Sequence, residues 1–449
     1  MNATIYRYII SPIWQKLKCQ KINNYLNLLI NNHSLQRNKI DRNSFKDLKN
    51  LLIFCENNVP YYRRIFSEIG LKTSEINNFE DYKTVPILTK EVFRKYYKDF
   101  IPEKKIQFRY TETSGSTGTP TKFRISKTAT EKWYAAKLYG RSLHGIKPGD
   151  PILWIWGRKF KKQHKLYKFF KNNLENEYKF SAFDIDLKKA LALYNLIKRK
   201  KIKSIYGYSS AIYEFAKILK NKGLTVNLSK VFVTAEGIFD YQKETIRSVF
   251  NCMVIKEYGA AEMGILAFDC KEGKSHIVED NVYLELIKSK HNSELNEVIV
   301  TDFNNYAMPL LRYNSGDLSS GFDEELCTCG STKKILKDVV GRKYDMIKLS
   351  NGKVIHGEMV NYVLKHALLN DFPSGCLFEF KQESYSNFKL SLALFDLDDD
   401  TKNRLNKLIR GLFNKALGNN HNLVITYDHE IGRLNSGKHR YISSDIRHT

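Results

Sequence analysis

From Tyr110 to Phe123 the chain reads Y-T-E-T-S-G-S-T-G-T-P-T-K-F, with seven hydroxyl side chains between Thr111 and Thr121 and Lys122 closing the run. Glycines let a backbone turn tightly and bring its N–H groups against a ligand. Successive N–H groups in such a turn form a concave anion site, and Ser and Thr hydroxyls add donors. Phosphate is the natural occupant, which makes Ser114, Gly115, Ser116, Thr117, Gly118, Thr119 and Lys122 candidate phosphate-binding residues. The spacing differs from the Walker loop, which ends in G-K-[ST] and opens a helix. The plain alternative is a polar surface loop.

Two further stretches could act on the rest of a nucleotide. Glu257-Tyr258-Gly259-Ala260-Ala261-Glu262 follows a short apolar run. An aromatic at a strand end can stack on a base, and a nearby carboxylate can hold Mg²⁺, which prefers one or two carboxylates plus phosphate oxygens. In V-T-D-F-N-N-Y-A-M-P-L-L-R-Y-N-S-G-D, residues 300–317, Asp317 follows a glycine turn where a short carboxylate could take both hydroxyls of a ribose. Its plain alternative is a turn-capping Asp. Cys270, His276, Cys327 and Cys329 form a soft ligand set, arranged as C-x5-H and C-x-C halves. Two thiolate-bearing turns and an imidazole suit a closed, structural Zn²⁺ site; the alternative is a set of ordinary reduced cysteines.

These residues need a large frame. A chain of 449 residues exceeds what one core usually organises, and 42% hydrophobic residues suffice for packed domains. The net charge of +25 raises nucleic acid as a partner, but the lysines are spread among Asn and Ile rather than gathered into one arm. Specific nucleic-acid binding is therefore not expected. Seven cysteines are an odd number in a long chain, unlike a secreted disulfide framework. With no signal peptide or membrane span read from the sequence, the expected location is cytoplasmic. Ile5 to Leu17 is apolar with basic flanks and is a candidate for peripheral contact with a membrane surface.

Residues 1–100 read as mostly helical, with one helix stopping near Val59-Pro60. From residue 150, short apolar strands alternate with helices, which predicts βαβ units on a parallel sheet. Strands at Ile152–Trp156, Ser204–Tyr208, Val231–Thr234 and Met253–Glu257 place their following loops where ligands gather in open α/β sheets. After residue 280 the texture becomes antiparallel. A break near Gly341-Arg342 precedes a small α+β region.

Taken in order, the S-G-S-T-G-T-P-T loop, the E-Y-G-x-x-E box, the R-Y-x-x-G-D box, the G-R-K-Y-D-M-I box and S-G-K at 436–438 resemble the adenylate-forming superfamily. Within it, V-P-Y-Y-R from Val59 and V-P-I-L-T-K from Val85 resemble the phenylacetate–CoA ligase branch and its capsule-biosynthesis relatives. The resemblance implies an α/β fold with a large adenylation domain, residues 1–342, and a small mobile α+β lid, residues 343–449. It implies that a carboxylate attacks the α-phosphate of ATP to give an acyl-adenylate and pyrophosphate, and that CoA then takes the acyl group and releases AMP. By carry-over, Ser114 to Thr119 cradle the phosphates, with Thr117 among the catalytic groups, and Tyr258, with Glu257 and Gly259 beside it, lies near adenine. Glu262 holds Mg²⁺, Asp317 grips the ribose, Arg342 contacts the nucleotide, and Lys438 reaches the α-phosphate. Thr234-Ala235-Glu236-Gly237 resembles the family's adenine-side G-A-E-P stretch, which brings in Glu236. Some relatives carry a Cys/His zinc site like the one read above.

The chain departs from the family at three places. Tyr344 stands for the first Asp of the hinge box, Ala261 replaces a Thr or Ser, and L-S-N-G-K-V-I-H-G-E replaces the G-x-N-x-F-P of the CoA-using enzymes. An amine acceptor in envelope polysaccharide assembly is thus a rival to CoA. A non-catalytic AMP-binding scaffold or a nucleic-acid-binding protein is the alternative outside enzymology, and a homodimer is left open.

Overall fold

Short strands at Glu177–Ser181, Ser204–Tyr208 and Lys230–Thr234, each followed by an amphipathic helix, build the centre of the chain. The computed structural model describes all residues except 1, 113–120, 157–175, 183–184, 290–293, 343–345, 352–353, 357–358, 361–362, 365–366, 368–376, 395–396, 420, 429–430, 432–440 and 447–449. A hairpin of β1 (Phe108–Glu112) and β2 (Lys122–Ser126) precedes the main sheet. Then come β3 (Ile152–Trp156), β4 (Glu177–Ser181), β5 (Ser204–Tyr208), β6 (Lys230–Thr234), β7 (Met253–Ala260), β8 (Gly264–Asp269) and β9 (Ser275–Ile277). Next are β10 (Val282–Lys288), β11 (Asn296–Asp302), β12 (Tyr313–Ser319), β13 (Phe322–Asp323), β14 (Ile335–Leu336) and β15 (Val339–Arg342).

The main sheet runs β13-β14-β9-β8-β7-β6-β5-β3-β4. Its β4, β3, β5, β6 and β7 are mutually parallel, and β8 onward is antiparallel, so the change of texture begins before residue 280. The Leu187–Lys200 helix shows why the crossovers are helical. The Asp186 carboxylate accepts from the Lys189 N–H at 2.7 Å, Ala190, Leu193, Leu196 and Ile197 are buried, and three basic residues fill the last turn. A second sheet, β10-β11-β12-β15, is antiparallel throughout. Pro60 does not merely stop the Arg37–Asn58 helix. It opens the Pro60–Glu68 helix, where its missing N–H costs nothing.

Residues 347–442 contribute a separate core around Phe378, Phe380, Leu390, Leu405 and Phe413. It meets the main body where Phe239 lies against Phe378 and Tyr441, and where the buried Gln242 amide donates to the Tyr441 hydroxyl at 2.9 Å. No described helix is long and apolar enough to cross a membrane.

One buried ion ties the N-terminal helices to the antiparallel sheet. Arg312, 6% exposed, bonds the Glu285 carboxylate at 3.0 Å, the Val85 carbonyl at 2.6 Å and the Lys83 carbonyl. Burial pushes the Glu285 carboxyl above its usual range, and Arg312 pulls against that. The box arginine is therefore a structural clamp for the Val85–Thr89 connector, whose Leu88 pairs with β12. Replacing it strands a carboxylate in the core. We expect Arg312→Met to lower unfolding stability by about 3–5 kcal/mol in urea titrations; a loss under about 1 kcal/mol would contradict the clamp.

Candidate functional site

The hydroxyl-rich loop joins β1 to β2, because Glu112 faces Lys122 across the hairpin. Ser114, Gly115, Ser116, Thr117, Gly118 and Thr119 themselves lie outside the described residues, as do Tyr344 and Lys438. The stems are well placed. Phe123 stacks on Phe93 at 4.8 Å and meets Tyr313 at 6.5 Å, which sets the hairpin against β12. The Arg94 guanidinium donates to the Thr121 hydroxyl at 3.0 Å where the loop returns. Lys122 sits 3.6 Å from Glu112 with both side chains largely exposed, an ion pair worth little to stability.

Two of the sequence boxes meet directly. The Tyr258 hydroxyl, near the end of β7, donates to the Asp317 carboxylate on β12 at 2.7 Å. Asp317 in turn lies opposite Arg342 of β15 in the sheet register, so three residues read from separate boxes converge. The Arg342 side chain lies outside what the structure describes. Gly316, with φ +78°, supplies the left-handed turn before Asp317.

Glycine is also required beside Tyr258. A Cβ on Gly259 would come within 2.4 Å of the Gly264 carbonyl, and one on Gly264 within 2.3 Å of the Trp133 ring. The β7–β8 turn is thus pressed against the Lys127–Ser142 helix, and Glu262 is buried on that turn. Glu257 is buried as well, accepting the Tyr206 hydroxyl at 2.5 Å. Glu236 follows Ala235, whose φ of +70° is a left-handed conformation unusual for a residue with a side chain. The Glu236 carboxylate accepts the Ser210 N–H at 3.0 Å, at the start of the Ser209–Asn221 helix. It braces the loop after β6 against that helix.

Sequence reading did not find the cations that face this region. Lys137 and Arg141 lie one turn apart on the Lys127–Ser142 helix, among Trp154, Trp156 and Tyr206. Their i, i+4 spacing on a helix face that also carries Trp133 and Tyr134 was the available signal.

The four sulfur and nitrogen residues gather as expected. Cys270, His276, Cys327 and Cys329 bring their ligand atoms within 4.8 Å of one another. The Cys270–Cys327 sulfur separation is 3.6 Å and Cys329 Sγ lies 3.3 Å from His276 Nε2. A tetrahedron with metal–sulfur bonds of about 2.3 Å has sulfur–sulfur edges of about 3.8 Å, and a shorter metal–nitrogen bond shortens the edge to the imidazole, close to these values. His276 Nδ1 is 3.1 Å from the Lys333 carbonyl, which can only accept. The ring proton therefore sits on Nδ1, leaving the Nε2 lone pair aimed at the thiols, as a metal ligand requires. The donor set fits zinc.

No family model matches the chain. Among curated proteins, Protein CapK of Staphylococcus aureus is 24% identical over 400 residues, covering 88% of this chain and 87% of the relative. A phenylacetate-coenzyme A ligase of Thermus thermophilus is 24% identical over 357 residues, covering 74% and 76%. An indoleacetate–lysine synthetase of Pseudomonas savastanoi is 28% identical over 126 residues, 27% of this chain and 30% of its own. Among solved structures, 2-hydroxyisobutyryl-CoA ligase in the postadenylation state with R3-HIB-AMP superposes with a TM-score of 0.72 at 16% identity, covering 92% of this chain and 91% of that one. These likenesses fix the fold.

For the thiol–imidazole cluster, we expect about one zinc per chain by elemental analysis of protein purified without chelator. Cys327→Ser and Cys329→Ser should each lose the metal and lower the thermal midpoint, because a structural site contributes folding energy. Metal-free wild-type protein of undiminished stability would contradict the assignment.

Proposed function

We propose a reaction for this chain on the premise that it belongs to the adenylate-forming superfamily, on the side that holds the phenylacetate–CoA ligases and CapK. It activates a carboxylate with ATP, forms an acyl-adenylate with release of pyrophosphate, and passes the acyl group to the thiol of CoA. The observation that carries this reading is the Tyr258–Asp317 hydrogen bond beside the Arg342 strand, on the same β12 whose Tyr313 meets Phe123 of the hairpin that bears the hydroxyl loop.

The chemistry asks for fixed donors before charge develops. As the carboxylate oxygen bonds to the α-phosphorus, the bond to pyrophosphate breaks and negative charge spreads over the phosphoryl oxygens. Amides and hydroxyls of Ser114 to Thr119 receive that charge without reorganising, and Lys438 adds a cation at the α-phosphate. Asp317, held by Tyr258, takes the ribose hydroxyls and so fixes where the α-phosphate falls. Glu262 would hold Mg²⁺, which when bound would offset the phosphate charge. Glu257 is engaged by Tyr206, so its role is to shape the wall next to the nucleotide.

A second reading concerns only the acceptor. The shared segment with an indoleacetate–lysine synthetase favours an amine in place of the thiol. The first half-reaction is the same in both.

Carboxylate-dependent ATP–pyrophosphate exchange across a panel of acids tests the proposal. Asp317→Ala and Lys438→Ala should each depress exchange by roughly tenfold or more with the fold intact by circular dichroism. Exchange unchanged in both variants, or absent with every acid, would overturn it. Product analysis with CoA and with amines then separates the two acceptors.

A further inference from the structure

One sheet face carries a group of charges that the reaction does not use. Trp154 and Tyr206 are register partners on β3 and β5, and Trp154 and Lys179 on β3 and β4. Trp156 stacks on Tyr206 at 5.7 Å and 11°. Over these rings stand Lys137, 4.5 Å from the Tyr206 centroid and 5.2 Å from Trp154, and Arg141, 4.6 Å and 4.9 Å from the same two. Lys179 approaches Trp154 at 5.5 Å but is paired with Glu177 at 2.9 Å.

The donors here are not satisfied. Among the described residues, Arg141 Nε and Nη2 and Trp154 Nε1 are buried with no hydrogen-bond partner, and Arg141 is 2% exposed. Lys137 has neither a salt bridge nor a hydrogen bond among them; its contacts are aromatic faces. Arg141 also reaches a cavity of about 310 Å³ between the N-terminal helices, the Lys127–Ser142 helix and the loop of residues 146–150, which the rings of the cage do not line. Buried donors of this kind are normally paired, by protein, water or ligand. The group is also contiguous with the nucleotide site. Lys137 rests on Tyr206, Tyr206 bonds Glu257, and the next residue, Tyr258, bonds Asp317.

We propose that this cationic aromatic cage receives the acyl part of the substrate, and that the acid carries a second anionic group which docks on Lys137 and Arg141. The inference rests on the ligase reading and specifies its substrate as a dianionic acid, such as a dicarboxylate. Cations stacked on rings keep their charge while the rings hold the carbon skeleton. A purely hydrocarbon acid would leave both cations and the indole N–H unpaired, and sites built to hydrogen-bond reject such analogues strongly.

Charge at the cage depends on pH. Burial is the main cause that lowers the Lys137 pKa to about 8, with Arg141 and Lys179 acting in the same sense and Glu257 and Glu177 against it. The ammonium is present below that value and lost as pH rises through it, so the second anion should bind more weakly above about pH 8.

Pyrophosphate exchange on the full chain, with size-matched pairs such as pentanedioate against pentanoate and 2-carboxyphenylacetate against phenylacetate, tests this. The diacid of a pair should win by roughly tenfold or more in kcat/KM. Lys137→Met and Arg141→Met should erase that preference mainly through KM, and Lys137→Arg should retain it while removing the rise in KM above pH 8. Tryptophan fluorescence, which Trp154 and Trp156 report, gives binding without turnover, and thermal midpoints guard against misfolding. Exchange supported by monoacids better than by diacids overturns this inference and leaves the ligase reading standing. No binding or exchange with any acid overturns both.

An independent observation concerns the N-terminal helical segment, residues 3–17. It is docked by Arg7, which donates to the Pro148 carbonyl at 3.1 Å, and by the buried Gln15. Its outer face shows Tyr8 at 70%, Ile9 at 54%, Ile13 at 55% and Leu17 at 74% exposure. Residues 1–40 contain six Lys and Arg and no Asp or Glu. Arg7 is paired with Asp150, and Arg37 with Asp41 and Glu279, so the basic residues that flank this face are Lys16, Lys18 and Lys21. We infer that this face lies on an anionic lipid surface, where apolar side chains enter the headgroup boundary and the basic residues meet phosphate. The full chain should sediment with vesicles containing phosphatidylglycerol, less with phosphatidylcholine alone, and Ile9→Asp with Ile13→Asp should abolish it. Failure to sediment, or a dimer that the same substitutions split, would overturn it.

Discussion

The hydrogen bond between Tyr258 and Asp317 spans two sheets. Tyr258 ends the parallel run of the main sheet, and Asp317 lies in the antiparallel sheet, whose register sets Arg342 opposite it. A carboxylate can grip two adjacent hydroxyls only if its own direction is fixed, and a phenol donor on one oxygen does that. The close glycine packing of the β7–β8 turn and the Arg312 clamp under β12 then serve one end. Each fixes one side of this contact against the rest of the chain.

Charge follows from that geometry. The hydroxyl loop springs from a hairpin packed against β12, and the carboxylates nearby are each assigned a different task. Glu257 is tied to Tyr206, Glu236 to a helix start, and Asp317 to Tyr258. Glu262 is buried on the tight turn itself. Lys137 lies near Glu257 and, with Arg141, over the Tyr206 ring, so cations stand next to this group of carboxylates.

Much of this was legible in the sequence because the boxes are local. A glycine turn, a strand end and a C-x-C pair each fit within a few residues, and their order along the chain carries the resemblance to the adenylate-forming superfamily. The cage was not legible, since it joins a helix to β3, β4 and β5 through register, which no short stretch encodes. Val59-Pro60 reads as a stop in the sequence because a proline ends one helix and opens the next with the same residue; only the following helix distinguishes them. The role of Arg312 was hidden for a similar reason. Its partners, at Lys83, Val85 and Glu285, lie far away in sequence.

The central claim is that a nucleotide bridges Asp317, Tyr258 and the hairpin loop. A crystal structure of the chain with a non-hydrolysable acyl-adenylate analogue tests it most directly. The account predicts the ribose hydroxyls on Asp317, the base beside Tyr258 and the phosphate-like group under residues 114–119. An analogue bound elsewhere, with Asp317 still facing only Tyr258, would contradict it.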